Sequence, residues 1–121
     1  MAAFLSEYLA SADELEVLMR VVAAPERWWD ARAVSRGSGM SIGSARAALD
    51  TLTARNLLDI RITGDVRYKF RPATAALEGA VGAVAAAYQR EPAAVAQFVM
   101  RGARGRREFA EAFRGRRRTS D

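Results

Sequence analysis

The chain contains no cysteine and no histidine. Without cysteine there is no disulfide framework and no thiolate metal site. Without histidine the commonest general base, the commonest metal ligand and the usual pH switch are all missing. Lysine occurs once, as Lys69, so a catalytic base would have to be that residue, a tyrosine or one of the scattered acids. The stretch Gly37-Ser38-Gly39 lacks the following lysine and the preceding strand of a phosphate-binding loop. No catalytic set, metal site or cofactor site emerges, and the expectation is a protein that is not an enzyme. No apolar run reaches the roughly 18 residues that a membrane span needs. The opening, Met1 to Ala10, holds Glu7 and no basic residue, unlike the charged start of a secretory signal, so a cytoplasmic protein is expected.

What is present is enough for one domain. Half of the 121 residues are hydrophobic, so a core can form without staples. The net charge of +5 is unevenly placed. Residues 1–29 carry five acids against two Arg, and residues 72–100 two acids against one Arg. Residues 30–71 carry eight basic against four acidic groups, and residues 101–121 eight Arg against three acids. A basic middle and a very basic tail suit a polyanion partner. They also suit a solubilising surface with a disordered end.

Apolar spacing of three and four at Phe4, Leu5, Tyr8 and Leu9 predicts a short helix over 2–10. Ser11-Ala12-Asp13-Glu14 is a capping box, with acids where the helix dipole favours them. It opens a helix over 12–24 whose inner face is Leu15, Leu18, Met19 and Val22, stopped by Pro25. Trp28 and Trp29 follow in a connector, where they either plug the core or form an exposed contact. Asp30 caps a short helix from Ala31 to about Arg36, with Ala33 and Val34 facing in. Gly37-Ser38-Gly39 makes a turn plugged by Met40. Ser41 caps a helix over 42–54 with a buried stripe of Ala45, Ala48, Leu49 and Leu52. Asn56, which tolerates a left-handed conformation, ends it.

The period then changes to two. Leu58-Asp59-Ile60-Arg61-Ile62 and Val66-Arg67-Tyr68-Lys69-Phe70-Arg71 alternate around the turn Thr63-Gly64-Asp65, which predicts an antiparallel hairpin. Val66, Tyr68 and Phe70 face inward; Arg61, Arg67, Lys69 and Arg71 face out. Pro72 ends it. From about Ala73 a helix follows with a seam of Leu77, Val81, Val84 and Tyr88, continued by Val95 and Phe98 and interrupted at Pro92. Gly79 and Gly82 leave room for a partner helix. Phe109, Ala110 and Phe113 suggest a last short helix over 106–114.

The fold class expected is mainly α with a small antiparallel β-hairpin. Helix, short helix, Gly-rich turn, capped helix and basic hairpin is the order of a winged helix-turn-helix, flanked by N- and C-terminal helices. The run Ser41-Ile42-Gly43-Ser44-Ala45-Arg46-Ala47-Ala48-Leu49-Asp50-Thr51-Leu52, then Ala54-Arg55-Asn56-Leu57-Leu58, resembles bacterial winged-helix regulators of the multiple-antibiotic-resistance-regulator type. The resemblance spans residues 12–71, about half the chain. It implies a winged helix-turn-helix domain over 1–71, a helical segment over 72–100 that is a candidate for dimerisation, and an Arg-rich helix and tail over 101–121.

It also implies double-stranded DNA as the partner of a transcription regulator. A helix fits the major groove and its first residues reach base edges. The candidate contacts are Ser41, Ile42, Ser44 and Arg46 on the helix over 41–54. In the hairpin over 58–71 they are Arg61, Arg67 and Lys69. Two subunits would double the phosphate contacts, so a homodimer through the seam at Leu77, Val81, Val84 and Tyr88 is one expectation; the other is that the seam folds back on its own chain. The outward face of the helix over 42–54 is poor in donors and carries Asp50. An alternative therefore stays open: a winged-helix module that binds protein. The tail arginines, Arg114, Arg116, Arg117 and Arg118, either grip an anionic partner or form a solvated end.

Overall fold

The computed structural model describes residues 2–101. Among the described residues six helices and one hairpin follow in the order α1 (Ala2–Tyr8), α2 (Ala12–Ala23), α3 (Ala31–Ser38), α4 (Ile42–Ala54), β1 (Leu58–Thr63), β2 (Asp65–Phe70), α5 (Ala75–Arg90) and α6, which is described over 92–101. The chain is mainly helical, and its two named strands pair antiparallel. The suggested helix over 106–114 and the tail arginines lie outside the described residues. Among the described residues no helix is long and apolar enough to cross a membrane.

The helix starts follow from side-chain capping. The amides of Glu14, Ala33, Ser44 and Leu77 donate to Ser11, Asp30, Ser41 and Thr74 respectively. Glu14 reaches back to accept from the Ala10 amide (3.2 Å), one residue before the position a standard capping box uses. The same carboxylate takes Arg55 from the end of α4, and Arg55 also donates to the Tyr8 carbonyl. One arginine thus ties the end of α4 to the α1–α2 junction.

The third helix is longer than its glycines suggest. Gly37 and Ser38 stay helical because Ser38 Oγ donates to the Val34 carbonyl (2.7 Å) and Arg20 donates to the Gly37 carbonyl. Only Gly39 takes the left-handed conformation, at φ 81°, that ends the helix. Asn56 does the same after α4, at φ 66°. The hairpin turn is likewise tighter than expected. Thr63 pairs with Asp65 within the strands, leaving Gly64 alone at φ 92°.

The core runs through every element except the hairpin's far end. On α4 the buried residues are Ala45, Ala48, Leu49 and Leu52, the stripe read from the sequence. On α2 they are Leu15, Val17, Leu18 and Val21, while Met19 and Val22 are only half-buried. The stripe is rotated and widened because α2 is covered by α4, α3 and β2 together. Each fully buried Leu or Val of this set contributes about 1.5–3 kcal/mol by leaving water. On α3, Ala31 joins Val34 in the core, and Ala33 is half-buried. The two tryptophans divide: Trp29 is buried and Trp28 half-exposed.

The seam on α5 is used within the chain. Val81, Val84 and Ala87 are buried, with Leu77 and Tyr88 packed at the edge. Helix α1 packs on α5, with Phe4 and Leu5 buried, and Val95 and Val99 of α6 close the same core. Phe98, expected in that register, is exposed instead. Pro92 is the reason. It breaks the helix and starts α6 afresh, with the Val95 amide bonded to the Glu91 carbonyl, so the register is reset.

Candidate nucleic-acid interface

Tyr68 organises the ground between α4 and the hairpin. Its amide donates to the Trp29 carbonyl (2.7 Å) and its carbonyl accepts from the Trp29 amide (2.6 Å). This short bridge adds the α2–α3 connector to the edge of β2. The Tyr68 ring is buried, and its hydroxyl donates to Asp50 on α4. Burial first, and then the Asp50 carboxylate, push the Tyr68 phenol up to about 12. Asp50, which the sequence places on the outward face of α4, is therefore occupied by the protein.

In front of Tyr68 lies an open groove of about 610 Å³. Its walls are the first turns of α3 (Asp30, Ala31, Arg32), the start of α4 (Ile42, Arg46) and the hairpin end (Gly64, Asp65, Val66). Arg32, Ile42 and Arg46 are exposed. Neither arginine has an ion-pair partner among the described residues. The three acids of this region are engaged: Asp30 accepts from the Ala33 amide, Asp50 from Tyr68 and Asp65 from Arg67.

The expected contact residues separate into two groups. Ser41, Ile42, Ser44 and Arg46 cluster at the start of α4, with Ser41 Oγ bonded to both the amide and the hydroxyl of Ser44. Arg61, Arg67 and Lys69 share the opposite face of the hairpin, as the pairs Arg61–Arg67 and Asp59–Lys69 require. There they meet the protein. The Arg61 guanidinium lies 4.7 Å from the centre of the Trp28 ring. Lys69 Nζ is 5.7 Å from the same ring and 3.6 Å from Glu26. Arg67 bonds Asp65 (2.8 Å), which holds the Asp65 carboxyl below the usual carboxylate value and raises the guanidinium's own. Through Asp65, Arg67 alone of the three reaches the groove's rim.

Arg32 is the residue missed. The signal was available, since burying Ala31 and Val34 turns position 32 outward, but its neighbourhood with Arg46 depends on the packing of α3 against α4. Three of the five large hydrophobic residues exposed among the described residues, Ile42, Ile60 and Ile62, also belong to this side of the molecule. No family model, curated protein or solved structure matches the chain.

Proposed function

We propose that the chain is a DNA-binding winged helix-turn-helix protein, a cytoplasmic, non-catalytic regulator in which α4 enters the major groove and the hairpin is the wing. The observation that supports this most is the groove in which Arg32 and Arg46, without an ion-pair partner among the described residues, flank the exposed start of α4 beside the hairpin end. A helix start with free cations beside it suits a phosphate backbone on either side of a base-reading helix. The basic balance of residues 30–71 agrees with it. A second copy would join through apolar groups that remain exposed, Phe98 and Met100 on α6, because the α5 seam is consumed inside the chain.

The test is binding to duplex DNA across a salt series. Affinity should fall steeply with salt, by about 0.9 in the logarithmic slope for each phosphate neutralised. The double variant Arg32→Ala, Arg46→Ala should reduce that slope by about two. Binding unaffected by both salt and the double variant would refute the proposal. A second reading, a winged-helix module that binds protein, draws on the donor-poor outer face of α4 and on the exposed isoleucines around it. It expects a partner whose binding is nearly insensitive to salt.

A further inference from the structure

Four cations sit on the hairpin, and each has a partner within the protein. Arg61 and Lys69 lie against Trp28, Arg67 bonds Asp65, and Arg71 is 3.5 Å from Asp59. Beside the turn the charges of Asp65 and Arg67 cancel as a pair, and Arg61 keeps its charge on the face opposite Ile62. What the hairpin's end presents is Ile62, 71% exposed and the most exposed large hydrophobic residue among the described residues. Ile62 stands beside the turn at Gly64 and pairs with Val66 across the strands, so both side chains leave the same face. Val66 lines the groove together with Ile42 and Arg46. The apolar end is thus on the side where α4 would hold DNA, with Arg32 and Arg46 placed to neutralise phosphates next to it.

Resting on the DNA-binding proposal, we infer that Ile62 acts as an apolar wedge: the hairpin end enters the minor groove and Ile62 presses into a base step, bending the duplex. The physical case is one of complementarity. A β-branched side chain at the end of a rigid two-stranded arm gains nothing from a hydrated phosphate. It gains by leaving water against the face of a partly unstacked base pair. Pyrimidine–purine steps such as TA unstack at least cost, so the wedge favours them without any hydrogen-bond readout. This gives the chain a route to sequence preference that the donor-poor face of α4 does not supply. The arm is stiff where stiffness is needed, since Tyr68 anchors its base to both α4 and the connector.

The experiment uses the full chain and duplexes of about 30 base pairs carrying a dye at each end, one with central TA steps and one with a stiff A-tract. On binding, the wild type should raise energy transfer between the ends of the TA duplex, as a bend of about 20–90° brings them together. Ile62→Ala should keep the salt slope, lose the rise in energy transfer, and bind the TA duplex about fivefold to tenfold more weakly. Ile62→Phe should restore the bend. Because Ile62 is exposed, both variants should match the wild type in thermal unfolding, which separates a lost wedge from a lost fold. A bend unchanged in Ile62→Ala, or a wild type that binds both duplexes equally without bending, overturns the wedge and leaves the DNA-binding proposal standing. A wild type with no salt-dependent binding to either duplex overturns both, and points the apolar end toward a protein.

Discussion

Leu58 and Tyr68 lie toward the base of the hairpin, Ile62 and Val66 at its end, and all four leave the same face of the two strands. At the base that face is pressed on the helices, and Leu58 and Tyr68 are buried. At the end Ile62 is largely exposed among the described residues. The alternation of apolar and polar residues is the same along the whole arm. What differs is the body opposite it, which buries Leu58 and Tyr68, half-covers Val66 on β2, and leaves Ile60 and Ile62 of β1 exposed. An apolar residue left exposed in this way contributes little to folding, which frees it for contact with something else. The base belongs to stability and the end to binding, and substitutions at the two should separate those effects.

The largest effect should come from removing the anchor. Tyr68→Ala deletes a buried ring and its hydroxyl bond to Asp50, and should cost about 3–5 kcal/mol in urea unfolding. That is a large share of the roughly 5–15 kcal/mol that holds a domain of this kind together. Ile62→Ala, at the other end of the same face, should leave the unfolding midpoint nearly in place. Equal losses at the two positions would mean that the end is covered in solution and that the contrast is wrong.

Alkaline pH should attack the same anchor by a different route. The Tyr68 phenol is raised from its ordinary value of 10 to about 12 in the folded chain. A raised value means that folding favours the protonated phenol, so its contribution is complete below pH 10. It is lost as pH rises from 10 to 12, and amounts to about 3 kcal/mol when lost. Stability measured across that window should fall more steeply in the wild type than in Tyr68→Phe, which has no phenol to ionise. At neutral pH the same Tyr68→Phe variant should cost only about 1 kcal/mol, since Asp50 is exposed enough for water to replace the lost donor. A loss several times larger would show that Asp50 is sealed from solvent by the hairpin.

Much of this architecture can be read without coordinates. Capping residues announced three helix starts, and Ala45, Ala48, Leu49 and Leu52 announced the face that α4 buries. These signals are local, set by one side chain and the turn next to it. The candidate site was less legible, for a reason visible in the hairpin. Alternation says that Arg61, Arg67 and Lys69 leave one face, and they do. It does not say that Trp28 and Glu26 wait on that face to take two of them. Nor does it say that Pro92 resets the register, so that Val99 replaces Phe98 in the core. Pairings across dozens of residues depend on how elements pack, and no periodicity encodes them.

The smallest effect should be at the turn itself, in the pair Asp65–Arg67. Both side chains are open to solvent, their bond spans two residues of one strand, and surface pairs of this kind rarely add measurable stability. Arg67→Ala should leave the unfolding midpoint unchanged. It should instead move a titration. With its hydrogen-bond partner gone, the Asp65 carboxyl should rise toward the ordinary carboxylate value, which side-chain carboxyl NMR would follow. The freed Asp65 faces the groove, so the variant should also bind DNA more weakly than the loss of one cation explains. If Arg67→Ala instead binds more tightly, or leaves the Asp65 titration where it was, the pair is not the device that keeps the hairpin end neutral, and the contrast between an anchored base and an uncharged end would need a different cause.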